Sequence, residues 1–232
     1  MKKGLLAVLF SILCCGNVLA QFEGIVESKN ITVDETGTKV EYTMTLWVKP
    51  DMVKIMMKSK GESMGNTMIY RNDLARIWMI NESDKSYFEI NQKDQPVEQQ
   101  AFGDDEKYEL KRTGKKKIIL NFPCEEIVLT RGEERTEIWA TPKLKSLEET
   151  LVKAFGVEST QGVKGWDGEL ASLGLYPLSA KITSGGVLME LQEVKSVVQK
   201  KVAPTEFDIP TGYKKQNMQD MLEDAEKSGG GE

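Results

Sequence analysis

The sequence predicts a mainly β fold of the α+β class. It is a curved antiparallel sheet, or half-barrel, with one amphipathic helix packed on its concave face and a short C-terminal helix. Three observations carry this. Apolar residues alternate with period two along most of the chain after residue 22. Turn-forming residues punctuate that alternation at short intervals, which suits hairpins and not β-α-β crossovers. One long segment, near residues 141–155, switches to helical spacing.

The first segment is a targeting signal. Lys2 and Lys3 form a charged start, Gly4 to Cys15 an apolar run too short to span a bilayer, and Val18-Leu19-Ala20 a small-residue cleavage site. Residues 1–20 are thus expected to be removed, leaving an exported protein of the periplasm or exterior. Neither Cys14 nor Cys15 follows the small residue that a bacterial lipidation site uses, so lipoprotein anchoring is not expected. No later stretch is long and apolar enough for a transmembrane helix. Residues 21–214 read as a single β-rich domain, and 215–232 as a short helix and tail.

Within the domain, Val40, Tyr42, Met44, Leu46 and Val48 alternate, and Trp47 breaks the pattern on the wetter side. Strands follow at Val53–Met57, Thr67–Tyr70, Leu74–Ile80 and Lys85–Ile90, then a polar loop at Asn91–Asp105. Further strands lie at Lys117–Phe122, Glu125–Thr130 and Thr136–Ala140. Thr141 suits a helix N-cap and Pro142 the first helical position. Leu144, Leu147, Leu151 and Phe155 share one stripe of that helix, and a second short helix fits Glu169–Leu173. Gly185-Gly186 closes a hairpin predicted to pair Ile182 with Met189 and Ala180 with Leu191. A last strand is expected to carry Phe207 and Ile209, and Met218, Met221, Leu222 and Ala225 the terminal helix.

Composition narrows the function classes. The chain has 31 basic and 36 acidic side chains, 3 cysteines and no histidine. Histidine-based triads, imidazole metal ligands and histidine pH switches are therefore excluded. The acidic balance, which deepens when Lys2 and Lys3 leave, repels phosphate backbones, so no nucleic-acid partner is expected. Lys115-Lys116-Lys117 is too short a run to change that. After cleavage Cys124 stands alone, and the neighbouring Glu125 and Glu126 would raise its thiol pKa, which opposes a nucleophilic role. No calcium loop, zinc-ligand set or phosphate-binding glycine loop occurs, so neither a cofactor nor a metal is expected.

Methionine is unusually frequent in the first half of the sheet, and its flexible thioether suits either core filling or an adaptable apolar pocket. The cavity candidates are Met44, Met57, Met68 and Trp78 from the strands with Leu147, Leu151 and Phe155 from the helix. Trp47, opposite the apolar face of its strand, and Trp166, in a glycine-rich loop, are candidates for a rim or partner contact.

Several segments together resemble an exported bacterial family, domain of unknown function 4412. They are the opening Phe22-Glu23-Gly24 strand with Tyr42–Val48 and Val53–Met57, then Asn121-Phe122-Pro123-Cys124-Glu125-Glu126 through Trp139-Ala140-Thr141-Pro142-Lys143-Leu144, and finally Phe207-Asp208-Ile209-Pro210-Thr211-Gly212-Tyr213-Lys214. The resemblance implies a fold like that of the outer-membrane lipoprotein carriers, a half-barrel wrapped on a helical lid around an apolar cavity. It implies no catalytic residues. The expected function is an exported, non-enzymatic protein binding a lipid or other apolar small molecule in the sheet cavity. The alternative is a periplasmic or cell-envelope interaction or structural module with a solidly packed sheet and a protein partner at Trp47 or Trp166.

Overall fold

The structure, a computed structural model, describes residues 21–34, 36–61, 65–92, 108–155 and 166–217. The predicted signal segment, most of the Asn91–Asp105 loop and the predicted terminal helix lie outside these residues.

One open, curved sheet of 12 strands organises the chain. The strands are β1 (Gly24–Val33), β2 (Lys39–Lys49), β3 (Met52–Ser59), β4 (Asn66–Arg71), β5 (Arg76–Asn81) and β6 (Ser86–Asn91), then β7 (Glu109–Ile119), β8 (Phe122–Arg131), β9 (Glu134–Thr141), β10 (Tyr176–Ser184), β11 (Val187–Gln199) and β12 (Lys214–Gln216). Their order across the sheet is β12-β6-β5-β4-β3-β2-β1-β11-β10-β9-β8-β7. Two meanders are thus joined where β1 pairs with β11. All neighbours are antiparallel except β12, which runs parallel to β6.

Tight turns fix the registers. Leu120 and Asn121, with φ of 50° and 66°, close the β7–β8 hairpin. That corrects the expected Lys117–Phe122 strand, because the turn falls inside it. Gly185 and Gly186, at φ 56° and 84°, close β10 onto β11. Here a bulge intervenes: Thr183 pairs with Leu188 but Ile182 with Glu190 and Ala180 with Gln192. The expected partners Met189 and Leu191 are displaced by one residue, which sends Glu190 and Gln192 to the face shared with Ala180.

The helix follows its punctuation. The Thr141 hydroxyl accepts the Lys143 N–H, Pro142 opens a 3-10 turn (Pro142–Leu144), and α1 (Lys145–Ala154) continues it. Leu144, Leu147 and Leu151 bury their stripe against Val26, Leu46, Val48 and Val53 on the concave face. A second helix, α2 (Trp166–Ser172), sits beside α1 and packs Leu170 on Ile127, Leu129, Ile138 and Ala180. The concave face therefore carries two helices.

The other face is covered as well. Residues after β11 cross it as a strap, with a 3-10 turn at Pro204–Phe207. Phe207, fully buried, packs with Val202, Ile69, Trp78 and Ile80, and Trp47, Tyr87 and Ile209 close around them. The Phe207–Ile209 strand expected from alternation is thus this strap, and the last strand is β12.

Candidate functional site

The pleat sorts the strand residues into two chemistries. On the concave face, a row runs Leu46, Ile55, Met68, Met79 and Phe88 across β2–β6. A second row runs Val48, Val53, Tyr70, Ile77 and Ile90. Their β2 and β3 ends pack under α1, and both rows open toward β5 and β6, where Met79 is 39% exposed. Every lysine and arginine among the described residues of β1–β6 and β10 falls on the opposite face by this alternation.

Between sheet and helices lies a cavity of about 350 Å³. Met44, Leu46 and Ile55 form its floor; Glu148, Leu151, Val152 and Phe155 of α1 form one wall. Trp166, Gly168 and Ala171 of α2 form the other, with Tyr176, Pro177 and Gln192 at the far side. The Tyr176 phenol is buried, and burial, helped by the Glu148 carboxylate, pushes its pKa up, so it stays a neutral hydroxyl.

α1 is latched over this site by polar contacts at its C-terminal end. Asn72 Nδ2 donates to the Lys153 carbonyl at 3.1 Å, and Gln92 Nε2 donates to Asn72 Oδ1 at 2.8 Å. Lys153 pairs with Asp51 in the β2–β3 turn. Phe155 meets the Tyr70 ring edge-on, with centroids 5.0 Å apart.

The predicted cavity residues separate accordingly. Met44, Leu151 and Phe155 meet in the cavity wall. Met57 and Met68 lie on the same face, half-buried on its open part. Leu147 is fully buried beneath α1 and belongs to the core. Trp78 is corrected: it pairs with Ile69 on the opposite face, under the strap. Its indole N–H donates to Glu89 Oε2 at 3.0 Å and the Arg71 guanidinium lies 5.6 Å from the ring centre.

Trp47 does lie opposite the apolar face, but the strap covers it and Lys54 Nζ sits 4.8 Å from its ring. Trp166 lines the cavity. Gln192, Tyr176 and Glu148 are the polar wall residues, and the sequence singles out none of them. Of these, Gln192 reaches the site only through the β10–β11 bulge.

Cys124 is buried in the core and donates to the Phe122 carbonyl at 3.4 Å. Burial pushes its thiol pKa up; the neighbouring glutamates expected to do so are not the cause. Among the described residues no group of three or more Cys, Asp or Glu could hold a metal ion. Nor is any described helix long and apolar enough to cross a membrane.

The sequence matches the family described as Domain of unknown function (DUF4412) over residues 22–213. The chain belongs to this family. The match spans both meanders, the α1–α2 cap and the strap, so the cavity lies within the family's domain. No curated protein matches in sequence. Among solved structures the chain is similar to an uncharacterized conserved protein from Thermus thermophilus, at 8% identity over 84% of this chain and 90% of that one, TM-score 0.46. It is also similar to PNGF-II, at 13% identity over 88% of this chain and 34% of that one, TM-score 0.39. A LolA superfamily protein from Nitrosomonas europaea is similar at 10% identity over 81% of this chain and 90% of that one, TM-score 0.37.

Proposed function

We propose that this protein is an exported, non-enzymatic binder of a lipid or other apolar small molecule, held between the concave face and the α1–α2 cap. The observation that carries the reading is the cavity itself. A partly open, mainly apolar cleft of about 350 Å³ between a sheet and its own helices is the kind of concave surface that takes a small apolar molecule. Its continuation into half-buried methionines and aromatics offers further adaptable apolar surface.

The cavity's chemistry supports binding without catalysis. Glu148 is the single carboxylate among its described lining residues, so no acid pair converges there. The chain has no histidine, and its buried cysteine lies in the core. The partner-surface reading loses its two residues, since Trp47 lies under the strap and Trp166 lines the cavity.

The test is native mass spectrometry and organic extraction of the mature protein from its host, together with titration of a solvatochromic apolar dye. A one-to-one adduct, or saturable dye binding displaced by long-chain amphiphiles, is expected. Repeated recovery of empty protein that binds no dye would overturn the reading.

A further inference from the structure

The tip of the β7–β8 hairpin shows water more apolar surface than its packing requires. Ile118 is 75% exposed, the largest fraction for any large apolar side chain among the described residues, and Leu120 is 37% exposed. Pro123, across from Ile118, is exposed as well. Other side chains anchor the hairpin: Ile119 pairs with Phe122, and both pack against the core cluster of Cys124 and Leu144. The turn sharpens the contrast. Leu120 and Asn121 both hold left-handed backbone, which asparagine adopts readily and leucine does not. At position 120 an apolar side chain thus goes against both solvation and backbone preference, a conflict typical of functional sites.

Positive charge stands directly behind this tip. Between residues 111 and 126 five basic side chains face two acidic ones, in a chain whose formal net charge is −5. Both acids are engaged on the hairpin itself, Glu125 with Arg112 at 3.6 Å and Glu126 with Lys115 at 2.9 Å. Lys116 is exposed and shares the face of Ile118, because it pairs with Glu125 as Ile118 pairs with Pro123. Lys117 is exposed on the other face, with its Nζ 4.0 Å from the centre of the Trp139 ring. At about 3.3 Å per strand residue, the two lysines stand about 3–7 Å behind Ile118. That spacing suits a bilayer interface, where apolar side chains sink about 5–10 Å while lysines stay at the headgroups.

A protein partner suits this tip less well. Its three exposed apolar side chains fall far short of the roughly 20–30 residues a side of a stable protein interface. A second copy docking through the same tip would set these lysines against their own kind. We propose that the β7–β8 tip docks the protein on an anionic lipid surface, with Ile118 and Leu120 inserted and Lys116 and Lys117 at the headgroup phosphates. This surface does not depend on the guest-binding function.

The experiment is cosedimentation of the mature protein with vesicles of phosphatidylcholine alone and of phosphatidylcholine with about 30% phosphatidylglycerol. Binding to the anionic vesicles is expected to be at least 10-fold tighter and to weaken as salt rises. Ile118→Thr with Leu120→Asn should lower it at least 10-fold while the melting temperature holds or rises, since threonine suits a strand and asparagine the left-handed turn. Lys116→Gln with Lys117→Gln should lower it by about 10-fold and flatten the salt dependence. Ala171→Trp, which fills the cavity, should bind vesicles as the native protein does.

Equal binding to both vesicles, or binding to neither, would overturn the proposal. So would undiminished binding by the Ile118/Leu120 variant, or loss of binding in Ala171→Trp, which would trace the lipid contact to the cavity. Self-association of the native protein that disappears in the Ile118/Leu120 variant, without vesicle binding, would assign the tip to a second copy instead. None of these outcomes counts against the guest-binding function, which the dye titration reads separately.

Discussion

The Glu23 carboxylate accepts the backbone N–H of Val202 at 2.8 Å, joining the start of the domain to the strap across 179 positions of sequence. Lys49 and Lys201 flank the same carboxylate, each at 3.3 Å. The Val202 N–H, with these two ammonium groups, holds the Glu23 carboxyl below the usual carboxylate range despite an opposing contribution from burial. A lowered folded-state pKa contributes stability above the unfolded value and loses it as pH falls through the folded one. Urea unfolding of the native protein and Glu23→Gln should therefore differ at pH 7, with the variant less stable. The gap should close as pH drops through and below 4.5, the ordinary glutamate value.

Phe207 is the strap's main anchor. It is fully buried against Ile69, Trp78 and Ile80. Phe207→Ala should cost about 3–5 kcal/mol, as large aromatic truncations do. Limited proteolysis should then cut near residues 200–210, and the fluorescence of Trp47 and Trp78 should shift red as water reaches them.

Ala171 lines the cavity from α2 and is only partly buried. Ala171→Trp should fill the space with little strain. Affinity for an apolar dye should fall by about 10-fold, some 1.4 kcal/mol, while the melting temperature stays within a few degrees. Equal dye binding by the variant would place the dye elsewhere.

One edge of the sheet is β7, whose sequence, ELKRTGKKKII, is mostly polar with five basic residues. Lys111 and Lys116 are exposed, and a bulge between Arg112 and Lys116, with Gly114 at φ 81°, breaks the ladder. Such lysines and bulges keep an open edge from pairing with another chain. Replacing both lysines by Val is predicted to produce concentration-dependent association in sedimentation velocity, with each protomer's own fold retained.

Cys124 should be inert in the native protein, because burial disfavours its thiolate. A disulfide reagent at pH 8 should react at the rate of global unfolding and at once in denaturant. Rapid stoichiometric labelling under native conditions would contradict the buried placement.

Much of this fold is legible in the sequence. The β2–β6 meander reads from alternation and turn residues, and the helix from Thr141, Pro142 and the leucine stripe, though not that its first turn is a 3-10 turn. What escapes does so for local reasons. β7 has no apolar alternation because an edge strand guards itself with charge, so only its last residues read as strand. Phe207 and Ile209 alternate because a strap lying flat on a sheet also buries every second residue. Trp78 reads onto the wrong face because a four-residue turn, Asn72 to Ala75, sets its phase against Met68, and pattern alone does not supply that phase. Gln192 is hidden by one bulge: a shift of one residue exchanges the two faces of a strand. In the cavity the apolar wall is therefore partly legible, while its polar groups need the register.

The pairing of β1 with β11 has a consequence in time. Apart from β12 on β6, the strands within each half pair with their neighbours in sequence, and all these pairs are short hairpins except β9–β10, which is joined through α1 and α2. The seam between the halves joins the first strand of the domain to the eleventh, and closing it must overcome the chain entropy of everything between. Until it closes, β1 is itself a bare edge, and Gly24, whose missing side chain lets the Val198 carbonyl approach, has no strand on that side. That seam sets the two sides of the cavity next to each other, the Met44, Leu46 and Ile55 floor beside Gln192, Tyr176 and Pro177, so the cavity's shape depends on a pairing between the two ends of the domain.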